Sequence, residues 1–598
     1  MAEMNFAMLE VDLTNKKTKT VDITNEVRSF VGGRTVGAKI LWDRVPRGAD
    51  PLGEENVLYV GIGPITGFLG SVTNFSAKSP LTLLKGHANM NGHFGQELIY
   101  AGYNGGILIT GKSDNPVYLF IRDDAAEIRD ASHLWGKSGV EAQHLLEKEL
   151  KQEMNDQNMR CALIGPAGEN LVRNADICHD FYHHAARLGM GAVMGSKRLK
   201  AIALKGTRPP QYIHPDRLFS ILKKVFHSQE ARLHKAMHRR WGHMPSMPER
   251  YYKTTEGVKN KQLGWDPICD LSNPVRHEQE YKLWNDACQG CFVGCKVPYL
   301  KHDPLLGPCA GELRHDNGGG WNANVMIPGF EVQAYLSSYV DHLGLDSEDV
   351  SGVVAWMMEC FQRGLITRED LGGIDLAWGD LEAICRLLKK IVYREGIGNT
   401  LAEGLKIAPR KIGKGTEAYA MTYKGTAITS YEPRGSMADA LALACTAVGE
   451  LHGGRGIPER IMCDSLTTCA FLRRMLKAVF GSMTSWAVPM LNAACGWELT
   501  SEDWDTTVLR AATMERCVSM REGYVPARDD ILPRRFFEET IYNKYGEAKI
   551  LNREQFLEER SAFYRLCGLR DNGIPSKELL EELGLEFTIP VLEQELKR

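Results

Sequence analysis

The 598-residue sequence lacks long hydrophobic runs, and residues 1–30 have no basic start followed by an apolar stretch. We therefore expect a cytoplasmic protein with neither a secretion signal nor a membrane insertion. An excess of either charge is also missing, because 72 lysines and arginines stand against 75 acidic residues. This balance argues against nucleic acid as a partner and favours small-molecule chemistry.

The dense cysteine spacing of a disulfide scaffold is absent as well, because the 15 cysteines are scattered along the chain. They are expected to be free thiols or metal ligands. No glycine-rich dinucleotide fingerprint follows a predicted strand. Glycine itself is abundant, with 59 residues, which suits a protein whose backbone comes close to a ligand at many points.

Hydrophobic periodicity predicts an α+β protein with a β-rich N-terminal domain and two mainly helical domains. The predicted strands are Phe6–Leu13, Lys19–Ile23, Val57–Ile62, Gly106–Thr110, Val117–Arg122, Arg160–Ile164 and Leu199–Lys205. The predicted helices are residues 140–150, Phe330–Leu343, Val350–Arg363, Gly379–Arg394, Ser436–Leu451 and Trp504–Arg521. Two candidate joints, at 206–210 and 413–416, divide the chain into domains 1–210, 211–415 and 416–598. Residues 226–275 show no clear periodicity and are interpreted as surface loops around a cleft.

Three cysteines, Cys288, Cys291 and Cys295, lie within eight residues and have glycines between them. This spacing lets one short loop bind three corners of a 4Fe-4S cluster while backbone amides bond the cluster sulfurs. A zinc knuckle, which would need two paired ligand sets, and chance placement are the alternatives. The fourth ligand must come from elsewhere, and the candidates are Cys309, Cys445, Cys463, Cys469 and Cys495.

Several ordered strings in the sequence resemble the aldehyde:ferredoxin oxidoreductase family over nearly the whole chain. They are Lys78–Thr82, Asn91–Leu98, Tyr100–Tyr103, Ile164–Asn170, Arg187–Lys197, the three-cysteine loop and Tyr431–Gly435. The resemblance implies a tungsten or molybdenum ion held by two pterins, one 4Fe-4S cluster, and a magnesium ion bridging the pterin phosphates. It also implies electron transfer to ferredoxin or an iron-sulfur subunit, and assembly as a homodimer or hetero-oligomer.

The same resemblance implies the residues of the cofactor site. Two short motifs that begin at Asp341 and Asp464 correspond to the family's pterin motifs, and the second ends in Cys469, the implied fourth cluster ligand. Thr467-Thr468 stands where Gly-Leu is usual, and the arginine usual ahead of the Lys78 segment is replaced by Val72. The implied pterin-site residues are Asn91, Gly92, Gly95, Arg187, Leu188, Gly189, Gly191, Asp341, Leu345, Asp346, Asp464 and Thr468.

Phosphate and magnesium binding are expected at two backbone segments. The glycine run from Gly189 to Gly195 predicts a turn whose successive amides face a pterin phosphate, with a tight turn before a strand as the structural alternative. The resemblance implies that the carbonyl groups of Asn91 and Leu188 hold the magnesium ion.

Catalytic candidates lie in two further segments. His452 falls at the family's active-site histidine when counted from Tyr431, and an imidazole can take or give a proton near neutral pH. Cys309 stands where the family's acid is usual, and Glu312 is the candidate for that acid after displacement. A cysteine at this place resembles the tungsten-containing class II benzoyl-CoA reductases, in which it can ligate the metal.

The resemblance therefore implies oxidation of aldehydes to carboxylic acids. A low-potential reductase acting on an aryl-CoA or related acyl-CoA is the alternative enzyme. An electron-transfer subunit without its own active metal is disfavoured, because the residues matching the pterin site, Asn91 and Asp341 among them, are present.

Overall fold

The structure, a computed structural model, describes residues 2–156, 158–244, 247–271, 274–303, 307–311, 318–449 and 457–597. Side chains are not described at residues 247–248, 277, 299–303, 307–311, 318, 330 and 457. Within these ranges no helix has the length and apolar character needed to cross a membrane.

Two six-stranded sheets form the N-terminal third of the chain. The strands of the first sheet are β1 (Ala7–Asp12), β2 (Lys17–Asp22), β3 (Leu58–Gly61), β4 (Val72–Lys78), β5 (Lys85–Asn91) and β6 (Gly106–Thr110). Those of the second are β7 (Val117–Arg122), β8 (Ala125–Asp130), β9 (Arg160–Leu163), β10 (Ile177–His179), β11 (His183–Ala185) and β12 (Leu199–Lys205). Their orders are β2-β1-β6-β3-β4-β5 and β11-β10-β9-β12-β7-β8, and in each sheet one central pair, β1–β6 or β12–β7, runs parallel.

Side-chain alternation explains how the second sheet is covered on both faces. Along β7, Leu119 and Ile121 belong to a core shared with the first sheet, whereas Tyr118 and Phe120 belong to a second core. The second core also contains Leu146 of a helix that lies on the outer face. Because successive strand residues point to opposite faces, one strand contributes to both layers.

Helices dominate the rest of the chain. In the first 210 residues they are α1 (Thr24–Phe30), α2 (Gly33–Arg44), α3 (Phe94–Tyr100), α4 (Gly139–Met154), α5 (Pro166–Glu169) and α6 (Met190–Ser196). Next come α7 (Pro215–His227), α8 (Gln229–Trp241), α9 (Met247–Tyr252), α10 (Pro274–Glu280), α11 (Phe330–Leu343), α12 (Ser347–Gln362), α13 (Leu381–Val392), α14 (Ile397–Leu401) and α15 (Ala408–Ile412). The last are α16 (Met437–Cys445), α17 (Ile457–Ser465), α18 (Ala470–Phe480), α19 (Thr484–Cys495), α20 (Ser501–Arg521), α21 (Pro526–Asp529), α22 (Arg535–Glu538), α23 (Arg553–Leu566), α24 (Lys577–Glu582) and α25 (Glu593–Leu596).

Short strand pairs and tight helical turns complete the elements. The paired strands are β13 (Tyr299–Asp303) with β14 (Gly307–Gly311), β15 (Thr422–Tyr423) with β16 (Thr426–Ala427), and β17 (Ile541–Tyr542) with β18 (Ala548–Lys549). The 3-10 turns are Pro267–Leu271, Thr416–Tyr419, Pro433–Gly435 and Glu586–Thr588, and Gly318–Asn324 is a π-helical turn.

The predicted fold class is confirmed, because both sheets lie within residues 7–205 and mainly helical structure follows. Every predicted strand is present, with its ends shifted by at most two residues. The strands β4, β5, β8, β10 and β11 were not predicted. In β4 and β5 the sequences VTNFSAK and KGHANMN are mostly polar although nearly every residue is buried, so they show no alternation of apolar and polar residues. The proposed domain boundaries stay predictions.

The interpretation of residues 226–275 as surface loops is wrong for much of that segment. Helix α8 occupies Gln229–Trp241, and α9 and a 3-10 turn follow it. The buried residues of α8 are Ala231 and His238, and most of its other positions carry charged or exposed side chains. Leu233 and Met237 do stand at helical spacing in α8, but both are exposed among charged residues, so the segment does not have the pattern of a buried helical face.

Candidate active site

The two short motifs form the same structure, a helix, a turn and a second helix. Asp341 lies in the last turn of α11, and Asp346 is the N-cap of α12. In the second copy, Asp464 lies in the last turn of α17, and Cys469 is the N-cap of α18. The short repeat in the sequence is therefore a repeat of local structure, and each copy places a polar side chain on both sides of the turn.

The turn of each copy passes through a left-handed residue at the same position. In the first copy this residue is Gly344, with φ of 77°, and in the second it is Thr467, with φ of 54°. A β-branched residue is strained there, and two contacts hold it: the Thr467 hydroxyl accepts from the Gly63 amide at 3.1 Å and is hydrogen-bonded to Thr66. The departure from the usual glycine thus leaves the backbone path unchanged.

Asp346 stands at the centre of a buried charged group. Its Oδ1 accepts from the amides of Glu348 and Asp349 at 3.0 and 3.2 Å, which caps α12. Its Oδ2 lies 3.8 Å from Nη1 of Arg187, which also reaches Glu348 at 3.4 Å. Burial raises the pKa of the Asp346 carboxyl well above its usual value, and Arg187 opposes this shift.

Five buried polar atoms in this group have no hydrogen-bond partner among the residues that the structure describes. They are Nε and Nη1 of Arg187, Oδ2 of Asp346, Oδ1 of Asp176 and Oδ1 of Asn174. Buried polar atoms in folded proteins are nearly always paired. This concentration of donors and acceptors therefore indicates a place for a polar ligand.

Asp341 continues this group through a histidine. Its Oδ1 lies 3.4 Å from Nε2 of His184, whose Nδ1 lies 2.8 Å from Asp176. Burial alone would lower the pKa of His184, but the carboxylates of Asp341 and Asp176 raise it to about 10. His184 is thus a cation between two carboxylates, and Asp341, 9 % exposed, forms the outer end of the row.

Asp464 belongs to a second buried charged group, which links the sheets to the last helices. Arg34 donates to Asp464 at 2.9 Å and to both oxygens of Glu515 at 2.7 Å. Lys85 donates to Glu515 at 2.8 Å, and Arg460 lies 3.1 Å from Asp464. Burial lowers the pKa of Lys85 to about 8. Asp346 of the first motif and Asp464 of the second are therefore both buried beside an arginine.

Thr468 of the second motif and Leu345, which occupies the same position in the first motif, are both buried and make structural contacts. Thr468 is buried, and its amide and hydroxyl both donate to the carbonyl oxygen of Cys463. Leu345 is buried in the core that α11 and α12 share, and it forms a β-bridge with Ala175. These contacts hold the turns of the two copies in place.

The segment Asn91–Gly95 links β5 to α3 and touches the cysteine loop. Asn91 ends β5, and Gly95 lies in α3 against Thr73. The Gly92 carbonyl accepts from the Gln289 amide at 3.1 Å, next to Cys288. The implied magnesium donor and the cysteine loop are thus neighbours in space.

The glycine run is a helix and not the predicted turn of successive amides. Arg187, Leu188 and Gly189 are left-handed, with φ of 95°, 57° and 77°, and α6 begins at Met190. Glycine is needed at Gly191 because a Cβ there would lie 2.1 Å from the carbonyl oxygen of Asp176. The run therefore brings a helix against the backbone that carries Asp176, and the left-handed entry turns Arg187 inward.

The cysteines of the predicted cluster lie around one turn of the first sheet. A Cβ at Gly290 would lie 1.9 Å from the Gly67 carbonyl oxygen, so the cysteine loop rests on that turn. A Cβ at Gly70, on the other side of the turn, would lie 3.8 Å from Cβ of Cys469. Burial and the thiols of Cys291 and Cys469 raise the pKa of Cys288, and Cys469 also raises that of Cys291.

The other sulfur atoms separate into two kinds. Cys295 is buried, and its sulfur lies 3.4 Å from Nε2 of His243. Cys445, Cys463 and Cys495, the other described candidates for a fourth ligand, belong to the apolar cores. Cys469 is only half-buried and faces the thiols of the loop, so it is the candidate whose surroundings suit a ligand.

A group of His93, His179 and Asp180 adjoins the same segment. The possible ligand atoms of the three side chains all lie within 4.8 Å of one another. Arg160 lies 3.3 Å from Asp180, and despite burial the histidines and this arginine hold the pKa of Asp180 well below its usual range. Arg160 therefore balances the charge of Asp180, and this group gives no reason to propose a metal ion.

Of the three catalytic candidates, His452 and Glu312 lie outside the described residues. The backbone of Cys309 lies in β14, opposite Lys301 of β13. The Tyr431–Gly435 segment is well defined: Glu432 and Arg434 form a buried ion pair at 2.8 Å, and Arg434 also donates to the Lys261 carbonyl at 2.6 Å.

The sequence analysis missed Arg34, Lys85, Glu515, Asp176 and His184, which surround the motif aspartates. Their only local signals are Gly32-Gly33 before Arg34 and a single glutamate in the apolar stretch of α20. Neither signal specifies a partner hundreds of residues away.

Comparisons with known proteins agree with this architecture. Residues 8–206 match the family model for the N-terminal domain of aldehyde ferredoxin oxidoreductase. Residues 242–460 and 458–585 match the model for domains 2 and 3 of the same enzyme.

Two relatives from Pyrococcus furiosus align over almost the whole chain. One is named an aliphatic sulfonate oxidoreductase, WOR-like subunit; it is 33% identical, and the match covers 98% of this chain and 97% of the relative. The other, a tungsten-containing aldehyde ferredoxin oxidoreductase, is 31% identical over 96% of this chain and 98% of its own length.

A solved structure has the same fold. It is the active site complex BamBC of benzoyl coenzyme A reductase with 1,5-dienoyl-CoA, with a TM-score of 0.81, 24% sequence identity, and 99% of each chain covered. The family matches and the relatives identify the kind of enzyme, and this likeness supports the fold. The chain belongs to the aldehyde ferredoxin oxidoreductase family, and it is an oxidoreductase whose family implies a tungsten-pterin cofactor.

Proposed function

We propose that the protein oxidises aldehydes to carboxylic acids and passes the electrons through a 4Fe-4S cluster to ferredoxin or an iron-sulfur subunit. The observation that carries this proposal is the pair of helix–turn–helix copies with the buried carboxylates Asp346 and Asp464, each beside an arginine. Two similar pterins on one metal would need two similar sets of carboxylates to accept from the pterin N–H groups.

The residues around Arg187 fit a pterin. The partnerless atoms of Arg187, Asp346, Asp176 and Asn174 supply donors and acceptors for a polar bicyclic ring. Asp341 and Leu345 would complete this first site, and Asp464 and Thr468 would serve the second pterin. When bound, the metal-pterin group supplies two-electron oxidation together with oxygen transfer.

Magnesium and phosphate binding are proposed at the backbone near Asn91, Gly92 and Leu188. The Leu188 carbonyl already accepts from the Ser79 hydroxyl at 2.9 Å, and its second lone pair is available for a cation. The carbonyl groups of Asn91 and Leu188 would then bind one magnesium ion. Because Gly95, Gly189 and Gly191 have no side chains, they would let the backbone come close to the phosphates.

Cys288, Cys291, Cys295 and Cys469 are the proposed cluster ligands. In support of this, the thiols of Cys288, Cys291 and Cys469 interact electrostatically beside a turn of the first sheet, and these three residues are only half-buried. A cluster there would lie close to the outside of the molecule, as exchange of single electrons with a ferredoxin or an iron-sulfur subunit requires.

His452 is the proposed proton carrier at the reacting carbon, because an imidazole exchanges a proton near neutral pH. Glu312 is the proposed replacement for the acid of the family. The active form is proposed to be a homodimer or a complex with an iron-sulfur subunit.

A second candidate function is low-potential reduction of an aryl-CoA or related acyl-CoA. The observation that favours it is Cys309, which stands where an acid is usual and could ligate the metal as a soft thiolate. The fold likeness to the benzoyl coenzyme A reductase complex agrees with this candidate. The relative named for aliphatic sulfonates adds sulfonates as a third substrate class to examine.

The test begins with protein purified without oxygen from a tungstate-supplied host, with tungsten, molybdenum, iron and zinc measured by mass spectrometry. About one tungsten or molybdenum and about four iron per chain are expected. Reduction of benzyl viologen by simple aldehydes would support the first function. Oxidation of a chemically reduced low-potential dye that occurs only with an aryl-CoA or related acyl-CoA as electron acceptor would support the second. Zinc without a group 6 metal would refute both.

A further inference from the structure

We propose that helices α7, α8 and α18 form the docking surface for an acidic iron-sulfur electron carrier. This inference deepens the proposed function, because it rests on electrons leaving through the cluster at Cys288, Cys291, Cys295 and Cys469. The surface, called the basic face, consists of Lys223, Phe226, Arg232, Lys235, Arg239 and Arg474.

The three helices concentrate positive charge in a chain that has almost none in excess. Together they contain ten lysines and arginines and two acidic residues, whereas the whole chain has a net charge of −3. Arg232, Lys235 and Arg239 are spaced three and four residues apart, so they form one stripe along α8. A field of this kind attracts a partner of opposite charge and accelerates its association.

The basic face adjoins the cysteine loop. The Phe226 ring, at the end of α7, lies 4.8 Å from the ring of Phe292, which directly follows Cys291. A carrier bound to the face would therefore lie over the cluster ligands.

The other two helices meet at the same place. His238 of α8 packs on the Phe471 ring of α18 with 4.8 Å between ring centres, and His243 stacks on the same ring at 4.5 Å. His243 contacts the sulfur of Cys295, and Cys469 is the N-cap of α18. Arg474, one turn further along α18, is close enough to lower the pKa of His234 of α8. The basic face therefore lies beside two proposed cluster ligands, Cys295 of the cysteine loop and Cys469 of the second motif.

Several positive charges of the face have no acidic partner. Within the described part of the chain, Lys223, Arg232 and Arg239 form no ion pair, whereas nearby Arg240 is paired with Glu278 at 2.7 Å. These exposed positive charges repel one another. A partner that carries carboxylates would relieve this repulsion by binding to them.

Exposed apolar side chains accompany these charges. Phe226 is 43 % exposed, and Leu233 and Met237, one turn apart on α8, are 63 % and 40 % exposed. Large apolar side chains among arginines are typical of protein–protein interfaces and unusual on a surface that faces only water. The combination fits a small acidic protein whose cluster lies near its own surface.

The test compares binding of two electron carriers to the intact, metal-loaded enzyme without oxygen. The first is a bacterial ferredoxin with two 4Fe-4S clusters and net negative charge, and the second is cytochrome c, which is positively charged. Variants Lys223→Glu, Arg232→Glu and Arg239→Glu reverse exposed charges that contact none of the cluster ligands. Each is expected to raise the ferredoxin Kd about fivefold at low salt and less at high salt.

The matched control is Arg386→Glu, an exposed arginine in the middle of α13, which packs into a different core. It changes the net charge equally and should leave the ferredoxin Kd unchanged. Cytochrome c should bind the wild-type protein more weakly than ferredoxin does. Equal Kd values for all variants, an equal loss in Arg386→Glu, or tighter binding of cytochrome c would overturn the proposal.

Benzyl viologen reduction separates this inference from the proposed function. Benzyl viologen is a small molecule that accepts electrons without a docking surface. The three variants should therefore keep wild-type rates with the dye while the ferredoxin Kd rises. A protein that binds ferredoxin through the basic face but oxidises no aldehyde would contradict the substrate assignment and leave the docking surface supported. Turnover with ferredoxin that is insensitive to the three reversals would refute the docking surface alone.

Discussion

Asp346 combines two roles that conflict energetically. It caps α12 through Oδ1, which requires a side-chain acceptor, and it holds a negative charge where water is excluded. Asparagine caps a helix about as well as aspartate does. The charge therefore serves something other than helix capping, in agreement with the proposed pterin contact.

We predict that Asp346→Asn makes the cofactor-free protein more stable in mild alkali while lowering its pterin content. Because burial raises the folded-state pKa above the unfolded value, the folded protein binds an additional proton between those values. The free energy of unfolding contributed by this group therefore falls as pH rises through that window. At about pH 8 the variant should gain about 1–2 kcal/mol, and at about pH 5 the gain should be smaller.

Denaturant unfolding at the two pH values measures the change. Asp380→Asn is the matched control, because Asp380 is an exposed N-cap that accepts from the Ala383 amide. It should show no gain at either pH. If Asp346→Asn is less stable than wild type at about pH 8, the buried charge of Asp346 does not destabilise the folded protein.

Residues in short motifs could be named from the sequence, and their partners could not. Asp341, Asp464 and the three loop cysteines each lie in a string that specifies its own local geometry. Arg34 meets Asp464 and Glu515 across 430 and 481 residues of chain. No local pattern encodes such a pairing, because it depends on how the domains pack.

The two copies of the helix–turn–helix show how an element sets the position of a side chain. Gly344 ends α11 in the left-handed region, and a Cβ there would lie 2.8 Å from the backbone of Gly165. The close approach of these two glycines holds the turn between Asp341 and Asp346 against the second sheet.

We predict that Gly344→Ala lowers the free energy of unfolding by about 2–4 kcal/mol. About 1–2 kcal/mol comes from the left-handed backbone, and the remainder from the clash with Gly165. Gly415→Ala is the matched control, because Gly415 is also left-handed, with φ of 77° and ψ of 12°, and nothing lies within 4 Å of its Cβ position. It should show only the backbone cost in thermal and denaturant unfolding, and an equal loss in both variants would exclude the clash.

At the scale of elements, regular hydrophobic patterns were the predictable part. Strands such as β7 alternate two apolar faces, and α20 begins with a Thr500–Asp503 capping box. The polar strands β4 and β5 were hidden because the buried charges of Lys78 and Lys85 are balanced by Glu522 and Glu515 of α20 and the turn after it. Only tertiary partners make those sequences compatible with a core.

The whole molecule is held together by charges that cross between its sheets and its last helices. Arg34 lies in α2, Lys85 in β5, Asp464 in α17 and Glu515 in α20, and all four are almost fully buried. The network therefore fixes the second motif relative to the N-terminal third of the chain. Glu515 accepts from both cations and is the member whose loss leaves most charge uncompensated.

We predict that Glu515→Gln lowers the free energy of unfolding of the cofactor-free protein by about 3–5 kcal/mol, because Lys85 then stays buried without its hydrogen-bonded carboxylate and Arg34 keeps only Asp464. Burial opposes ionisation of Glu515, yet Arg34 and Lys85 hold its pKa well below the usual value. The stabilisation is therefore present above the unfolded pKa and is lost as pH falls, so the gap between variant and wild type should narrow in acid. Glu593→Gln, which breaks the exposed pair with Lys597, should leave the free energy of unfolding unchanged at any pH, because solvent screens that pair. A gap that is small at neutral pH or constant with pH would show that the network does not hold the two parts together.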